Sequence, residues 1–287
     1  MTRFIYVADT HIGGGKDGYR QQERYPEYLD ELFAGLHAWI EEHQVDFLLH
    51  GGDITNEGTR EQIEAAVSRF SSLGLPFYAC LGNHDLFYKD SYRHWLTSGA
   101  RFLLGDSLNF KLETPDMLFY SFCLHWDSRI PPYYWNIDLA QTPLPDPKAM
   151  KEFEALLQTA DRPVAVLIHA PLNAIPAHQT GLAEDIHIPH NDLREYFLDK
   201  AARYPHFKLV LAAHSHVNTL DTGSGLLTLT SASFTEAPFD FRLVEVDGER
   251  ISINTISLND SLGLDVDYDL SKAWVQGMAE ERQRCLC

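Results

Sequence analysis

Five short apolar runs in this sequence each end in polar residues of the kind that bind metal ions or act in catalysis. These residues are Asp9 and His11, Asp53, Asn83 and His84, His169, and His214 and His216. The first run, residues 4–8, is apolar throughout, which is typical of a strand covered on both faces. In an open parallel sheet the carboxyl ends of the strands meet along one edge. We therefore expect an α/β fold with one functional site at that edge.

Helical patterns lie between the apolar runs, as a parallel α/β sheet requires. Residues 26–43 carry apolar side chains at helical spacing. Thr59 and Gln62 have the spacing of a capping box, which predicts a helix start there. Alternating strands and helices thus predict parallel strands in the first part of the chain.

The pattern changes in the later parts of the chain. Residues 102–103, 108–112 and 117–124 predict closely spaced strands. Residues 226–230, 241–246 and 251–256 predict an antiparallel set, with a hairpin turn at Asp247-Gly248. A helix is predicted from Leu270 to Arg284. The simplest division is a main domain of residues 1–258 and a C-terminal extension of residues 259–287.

Two long loops, residues 125–147 and 170–190, interrupt this pattern. The first is rich in aromatic residues, which include His125, Trp126, Tyr133, Tyr134 and Trp135. Two interpretations stay open: the aromatic rings stack on a substrate, or they pack the loop onto the core. In the second loop, His178, His187 and His190 either reach the site or face water.

The composition narrows the class of partner. A formal net charge of −18 disfavours a strong grip on a long nucleic acid, because such binding depends on basic residues. No apolar stretch is long enough for a membrane helix, and residues 1–3 run directly into the first apolar run, so we expect neither a membrane anchor nor a signal peptide. Cys80 and Cys123 lie in apolar segments and are expected to be buried thiols, whereas Cys285 and Cys287 form no disulfide pattern. We therefore expect a cytoplasmic protein.

Each polar strand end has an ordinary structural explanation when it is considered alone. Asp53 after two glycines is compatible with an Asx turn, and His169 is compatible with a buried core histidine. Independent turns, however, have no reason to place two Asp, one Asn and four His at successive strand ends. Nitrogen and oxygen ligands without thiolates suit Mn, Fe, Zn or Co.

The order Asp-x-His, Gly-Asp, Gly-Asn-His-Asp, His and His-x-His resembles that of the calcineurin-like metallophosphoesterase superfamily, over residues 4–246. Within it, Asp53-Ile54-Thr55 with Gly58, and residues 238–242, are most similar to the class III cyclic-nucleotide and glycerophosphodiester phosphodiesterases. The resemblance implies a four-layer sandwich of two mixed β-sheets flanked by helices. It also implies a site for two metal ions.

The resemblance assigns a role to each strand-end residue. The ligands it implies are Asp9, His11, Asp53 and His216 for one ion, and Asp53, Asn83, His169 and His214 for the other, with Asp53 as the bridge. Two such ions lower the pKa of a bound water toward ~7, so we expect a hydroxide held on the metal pair to hydrolyse the phosphoester. His84 is the candidate general acid for the leaving oxygen. Asp85 is expected either to orient His84 or to cap the next turn.

The expected substrate is a small phosphodiester of the cyclic-nucleotide or glycerophosphodiester type. Phosphomonoesterase or nucleotidase activity on the same metal ions is the alternative, and a scaffold that keeps the fold without catalysis is a third interpretation. The C-terminal extension is expected to dock on its own domain or on a second copy, so a homo-oligomer is possible.

Overall fold

The structure is a computed structural model that describes residues 1–126 and 143–286. Most of the first aromatic loop, including Tyr133, Tyr134 and Trp135, lies outside the described residues, and so does Cys287. The two interpretations of that loop therefore stay predictions.

Two six-stranded sheets form the centre of the fold, and each contains parallel and antiparallel neighbours. The strands are β1 (Thr2–Val7), β2 (Phe47–His50), β3 (Phe77–Ala79), β4 (Phe110–Glu113), β5 (Leu118–Ser121), β6 (Leu124–His125), β7 (Leu144–Pro145), β8 (Val164–Leu167), β9 (Phe207–Ala212), β10 (Thr219–Asp221), β11 (Leu227–Thr230), β12 (Asp240–Asp247), β13 (Arg250–Ser257) and β14 (Gln283–Leu286). The first sheet has the order β14-β13-β12-β1-β2-β3, the second has the order β10-β11-β9-β8-β5-β4, and β6 pairs with β7. The predicted α/β fold with two mixed sheets is confirmed.

Helices flank the two sheets. They are α1 (Leu29–Glu42), α2 (Arg60–Ser71), α3 (Ser91–Thr97), α4 (Pro147–Thr159), α5 (Ala177–Thr180), α6 (Asn191–Arg203), α7 (Asn259–Leu262) and α8 (Ala279–Arg282), with 3₁₀ turns at Pro26–Tyr28, His84–Leu86, Ala100–Phe102, Gly223–Gly225 and Leu270–Gln276. Across the described ranges, we find no helix with the length and apolar character needed to cross a membrane.

The predicted start of α2 is confirmed, but its cap differs in one detail. Thr59 accepts a hydrogen bond from the backbone N–H of Gln62, as an N-cap residue should. The Gln62 side chain, however, accepts from the backbone N–H of Glu57 at 2.8 Å, where a full capping box requires Thr59. The loop before α2 is thereby tied to the first turn of the helix.

The core consists of one layer between the sheets and further layers under the helices. Between the sheets, Phe4 of β1 lies edge-on to Phe119 of β5, with ring centroids 5.4 Å apart. Under α1 and α2, Phe70 packs on Phe33 and Phe77 at 4.9 and 4.1 Å. These layers account for the predicted sandwich, because each sheet buries one face on the other sheet and one face on helices.

The strands that carry the predicted site are parallel neighbours within their sheets. In the first sheet β1, β2 and β3 lie side by side, and in the second sheet β8 and β9 do. Their carboxyl ends therefore lie along common edges. Cys80 and Cys123, just after β3 and β5, are buried free thiols, as expected.

Two predictions about strands are wrong. Residues 102–103 form no strand, because the chain turns through a 3₁₀ helix at Ala100–Phe102 and buries Phe102 against Phe77, 4.2 Å away. Residues 226–230 do not join the antiparallel set of β12 and β13, since β11 pairs with β9 in the other sheet. Local sequence cannot distinguish these pairings, which tertiary packing decides.

The predicted helix from Leu270 to Arg284 is also wrong. A 3₁₀ turn ends at Gly277, whose φ of 81° breaks the helix, and only Ala279–Arg282 is α-helical. Gln283–Leu286 then forms β14, which pairs with β13 at the edge of the first sheet. At residues 283–286, backbone pairing with the open edge of the first sheet takes the place of the last turn of the predicted helix.

We expect Phe70→Ala to lower the free energy of unfolding by about 3–5 kcal/mol, because it leaves a cavity among Phe33, Phe77 and Phe102. Urea unfolding followed by circular dichroism measures this loss. The control is Leu270→Ala, whose side chain is 81% exposed and which should change the free energy by less than about 0.5 kcal/mol. Equal unfolding midpoints for the two variants would contradict the assignment of Phe70 to the core.

Candidate metal centre

Five of the seven predicted ligands lie on backbone with a positive φ angle, which residues other than glycine rarely adopt. The angle is 53° at Asp9, 44° at His11, 53° at Asp53, 69° at His214 and 56° at His216. Each such residue costs about 1–3 kcal/mol unless its surroundings hold it in place. All five follow the end of a strand, so the chain turns sharply at the sheet edge where the predicted site lies.

Backbone hydrogen bonds between the loops after β1 and β2 set the spacing of the first ligands. Asp9 N donates to Gly52 O, and His11 N donates to Asp53 O, each at 3.0 Å. In the loop after β3, a Cβ atom on Gly82 would lie 2.1 Å from Asp53 Oδ1, so this position requires glycine. The parallel pairing of the strands therefore continues into the loops and fixes where Asp53 lies.

The first ligand group consists of Asp9, His11, Asp53 and His216. His216 Nε2 lies 3.5 Å from Asp9 Oδ1 and 3.3 Å from His11 Nε2. His11 Nε2 lies 3.8 Å from Asp53 Oδ2. The structure thus brings together four side chains from three distant parts of the sequence, with their donor atoms facing one another.

The second ligand group consists of Asp53, Asn83, His169 and His214. His169 Nε2 lies 3.2 Å from Asp53 Oδ2 and 3.3 Å from His214 Nδ1. His214 Nδ1 in turn lies 3.0 Å from Asn83 Oδ1. Asp53 and Asn83 follow strands of the first sheet, whereas His169 and His214 follow strands of the second.

Asp53 Oδ2 belongs to both ligand groups, since it faces His11 on one side and His169 on the other. The other oxygen, Oδ1, accepts a hydrogen bond from the backbone N–H of His84 at 2.8 Å. The loop after β3 therefore fixes the carboxylate through Oδ1, and Oδ2 lies between the two ligand groups. This arrangement supports the predicted bridge.

Hydrogen bonds outside the ligand groups orient two of the histidines. His169 Nδ1 lies 2.8 Å from the carbonyl oxygen of Gly51, to which it donates, so Nε2 faces Asp53. His216 Nδ1 lies 2.5 Å from Glu236 Oε1, so its Nε2 faces Asp9 and His11. Such partners fix the tautomer and the ring direction of a metal-binding histidine.

Glu236 is a further residue of this site that no sequence pattern predicts. The residue follows none of the five apolar runs, and no spacing connects it to His216. Its side chain is 2% exposed, and its Oε2 accepts hydrogen bonds from the backbone N–H groups of Gln21 and Gln22, each at 2.9 Å. Only the three-dimensional structure reveals this carboxylate behind a predicted ligand.

The chemistry of the two groups fits metal ions. Asp9 Oδ1 is buried and has no hydrogen-bond donor in the described part of the chain. Two pairs of imidazole nitrogens face each other at 3.3 Å, and two such atoms can share at most one proton. Cations between these atoms would satisfy the bare oxygen and the ring lone pairs together, and the nitrogen and oxygen donors suit borderline metals. Among the described residues, three sets of Asp and His ligand atoms lie within 4.8 Å of one another, and together these sets contain the six predicted ligands other than Asn83.

Burial shifts the ionisation of the metal-free ligands. It raises the pKa of Asp9 to about 6 and lowers the pKa of His214 to about 3. Burial is the largest single influence on His169 and acts to lower its pKa, but Asp53, Asp9 and the hydrogen bond to Gly51 together outweigh it and raise that pKa to about 9. An ion that binds between His169 and Asp53 must therefore displace a proton from His169.

The structure places His84 beside the first ligand group. Its ring centroid lies 4.7 Å from that of His11, and its Nδ1 donates to the carbonyl oxygen of Asn56 at 2.8 Å. His84 also forms one of the distance-defined sets with His11 and Asp53. The predicted general acid thus lies close enough to the site to contact a bound substrate.

The expectation that Asp85 orients His84 is wrong. Asp85 Oδ1 accepts from the backbone N–H and the hydroxyl of Thr55, and Oδ2 accepts from the backbone N–H groups of Ile54 and Gly82. Burial raises the pKa of this carboxyl group to about 7. Asp85 therefore joins the loops after β2 and β3, because its two oxygens satisfy backbone donors that would otherwise be buried without partners.

A cavity of about 630 Å³ opens beside the second ligand group. Its described wall includes Trp126, Pro171, His187, Ile188 and His214. Trp126 is buried, and its ring centroid lies 5.2 Å from that of His214. His190 also lines this cavity, so two of the three loop histidines reach the site region, whereas His178 lines a neighbouring cavity.

Comparison with protein families identifies one match. The family model described as calcineurin-like phosphoesterase matches residues 2–218, which contain all seven predicted ligands. The match covers three quarters of the chain and ends before Glu236.

Individual proteins and solved structures are similar to this chain over different lengths. A DNA double-strand break repair protein, Mre11 of Haloferax volcanii, is 34% identical over 90 residues, which are 30% of this chain and 20% of that protein. The chain is thus aligned with only a fifth of that relative's length. Among solved structures, a dimetal phosphatase from Danio rerio has a TM-score of 0.69 at 15% identity, covering 90% of this chain and 96% of that one. A putative 5′-nucleotidase from Staphylococcus aureus has a TM-score of 0.54 at 13% identity, covering 93% of this chain and 56% of that one. At these identities, the two structures show the shared fold.

Asp53→Ala is expected to abolish binding of both metal ions, because Oδ2 borders both ligand groups. Elemental analysis of protein purified without chelators and equilibrated with Mn²⁺ measures the number of bound ions. The control is Asp161→Ala, which removes an exposed carboxylate paired with Arg162. An Asp53→Ala variant that still binds two ions per chain would refute the shared position of this residue.

Proposed function

Because the chain belongs to the calcineurin-like phosphoesterase family, a family of metal-dependent phosphoester hydrolases, we propose that it hydrolyses phosphodiesters of small molecules at a pair of metal ions. The observation that carries the proposal is the position of Asp53 Oδ2 between two groups of nitrogen and oxygen donors. In two-metal sites, a pair of ions stabilises both the attacking and the leaving oxygen of an in-line displacement at phosphorus, and a buried pair of ligand groups around one shared carboxylate suits such a pair.

The residues that would hold the ions are the two ligand groups described above. Mn, Fe and Zn all suit this set of donors. When bound, such ions lower the pKa of a coordinated water and offset the negative charge of the phosphoryl oxygens. The protein's contribution is to fix the donors in advance, through strained backbone at five ligands and through the hydrogen bonds of Gly51 and Glu236 to the histidines.

We assign the general acid to His84. Its Nδ1 is bonded to the carbonyl oxygen of Asn56, so the proton for the leaving oxygen belongs to Nε2. Its backbone N–H holds Asp53, which couples the position of the acid to the position of the shared ligand. A side chain placed in this way typically contributes ~10²–10⁴-fold to the rate.

The cavity beside His214 supports a small substrate with neutral alcohol groups. Its described wall combines Trp126, prolines and Ile188 with the carboxylate of Asp192, and it contains neither Lys nor Arg among the described residues. A wall that mixes an aromatic ring and apolar side chains with hydrogen-bonding groups suits a sugar, a base or an aromatic alcohol, whereas a further phosphate would meet no lysine or arginine among its described residues.

The segment shared with the Mre11 protein raises the possibility of a DNA substrate. The net charge of −18 argues against it, because DNA affinity depends on the release of counterions by basic residues. We therefore favour small diesters, and a cytoplasmic location remains the expectation from the cysteines.

The substrate class is tested by kinetics with added Mn²⁺ on bis(p-nitrophenyl) phosphate and on p-nitrophenyl phosphate. We expect kcat/KM to be at least about 10-fold higher for the diester, since the cavity accommodates a second, uncharged alcohol. The third substrate is a short single-stranded oligonucleotide. We expect it to be cleaved slowly, at a rate that falls further as the salt concentration rises. Preference for the monoester would replace the proposal with a phosphomonoesterase, and an inactive protein that binds no metal would favour a scaffold.

His84→Ala is expected to keep both metal ions and to lower kcat by ~10²–10⁴-fold on a diester of an aliphatic alcohol, because the leaving oxygen loses its proton donor. The loss should be smaller for a substrate whose alcohol is a good leaving group. His37→Ala, on the outer helix α1, is the control and should leave kcat unchanged. Full activity of His84→Ala at normal metal content would remove His84 from the mechanism.

A further inference from the structure

Glu236 lies between a predicted metal ligand and the C-terminal segment, by which we mean residues 264–286. Its Oε1 binds His216 Nδ1, and its Oε2 binds the backbone N–H groups of Gln21 and Gln22. The Arg24 guanidinium lies 4.0 Å from Oε1 and donates to the carbonyl oxygen of Tyr19. The carboxylate is thus fixed on three sides before any metal ion is bound.

Gln22 carries this connection outward to the C-terminal segment. Its side-chain Oε1 accepts from the backbone N–H of Asp269 at 2.9 Å. Its Nε2 donates to the carbonyl oxygens of Asp269 at 3.0 Å and of Lys272 at 3.1 Å. One residue therefore binds Glu236 with its backbone and the C-terminal segment with its side chain.

The C-terminal segment also packs on the loop that carries His216. Asn218, two residues after His216, donates its backbone N–H to Val275 O at 2.8 Å. Gly277 approaches the same loop so closely that a Cβ atom would lie 2.9 Å from the carbonyl oxygen of Asn218. Gln179 donates to the carbonyl oxygens of both Asn218 and Trp274, at 2.9 and 2.8 Å. The segment thus contacts both sides of the Glu236–His216 pair.

We propose that Glu236 is the positioning residue of His216, and that the C-terminal segment holds Glu236 in place through Gln22. Ion binding by the first ligand group then depends on the docking of residues 264–286, whereas the second group, without His216, is less affected. This inference rests on the proposed function, because it requires that the two ligand groups bind ions. It gives the C-terminal segment a role in the site although the segment lies beyond the matched residues 2–218.

Glu236→Gln tests the first part. The amide oxygen of Gln can accept from His216, but its NH₂ group then faces the two backbone donors of Gln21 and Gln22, so one contact must break. We expect Mn²⁺ affinity at the first ligand group to fall about 10–100-fold, with the second group unchanged, in calorimetric titrations of the full chain. The matched control is Glu154→Gln. This substitution on α4 neutralises the carboxylate that pairs with Lys200 of α6.

A spectroscopic measurement separates positioning from general destabilisation. In the metal-free wild type, the ¹⁵N shifts of the His216 ring should report a proton on Nδ1, and in Glu236→Gln they should report a mixture of tautomers. Unchanged tautomer and unchanged affinity would overturn the role of Glu236. If the wild type itself binds fewer than two ions, the proposed function fails instead, so the two failures are distinguishable.

Gln22→Ala tests whether the C-terminal segment supports Glu236. The substitution keeps the backbone N–H groups that donate to Glu236, so this variant can be used even if Glu236→Gln does not fold. We expect faster hydrogen exchange in residues 267–275 and an affinity loss confined to the first ligand group, whereas Gln44→Ala, an exposed control, changes neither. Faster exchange with unchanged Mn²⁺ affinity would show that docking and ion binding are independent, and the second part would be wrong.

Discussion

The carboxylate of Asp53 is the contact on which the arrangement of the site depends. One of its oxygens lies between the two ligand groups, and the other is held by the backbone of His84. Around it, ligands from both sheets meet, so neither sheet contains a complete group. The separation of the sheets, set by pairs such as Phe4 and Phe119, must therefore be correct before these donor atoms can face one another.

The site is held in place at a local energetic cost. Five ligands adopt left-handed backbone, and several charged or polar side chains are fully buried. The compensating contacts come from the loops themselves, as when Asp85 satisfies the backbone N–H groups of Gly82 and Ile54. Bound cations would add to this compensation, because they neutralise the buried carboxylates of Asp9 and Asp53.

The sequence predicted what local pattern determines. An apolar run followed by Asp9 and His11 indicates both a buried strand and a polar turn after it. The same pattern occurs at Asp53, His169 and His214. Because these strands are parallel neighbours within their sheets, the predicted residues lie together in the structure. Glu236 escaped prediction because its partner His216 is close only in space. Its contact depends on how the chain after β11 returns over β1, which no local periodicity encodes.

Strand pairing at the periphery was predicted less well for a similar reason. The segment that becomes β11 has the same appearance as β12 and β13, and only the partner available in space decides which sheet it joins. Residues 283–286 have a helical stripe before them, yet they pair with β13 because the edge of the first sheet is open there. For Asp85, the residue type and position indicated a structural or functional carboxylate, but the sequence did not reveal its hydrogen-bond partners. A buried carboxylate accepts from whichever donors the fold places beside it.

The pairing of β1 with β12 has a consequence for the synthesis of this protein. Phe4 lies opposite Val244, so the strand that precedes Asp9 and His11 stays exposed on one side until β12 has been synthesised. Pairings between residues so distant in the chain form slowly, because a long loop must close first. His214, His216 and Glu236 also emerge late in translation. A complete pair of ligand groups can therefore form only after the chain has been synthesised beyond His216, and the support of His216 by Glu236 comes later still.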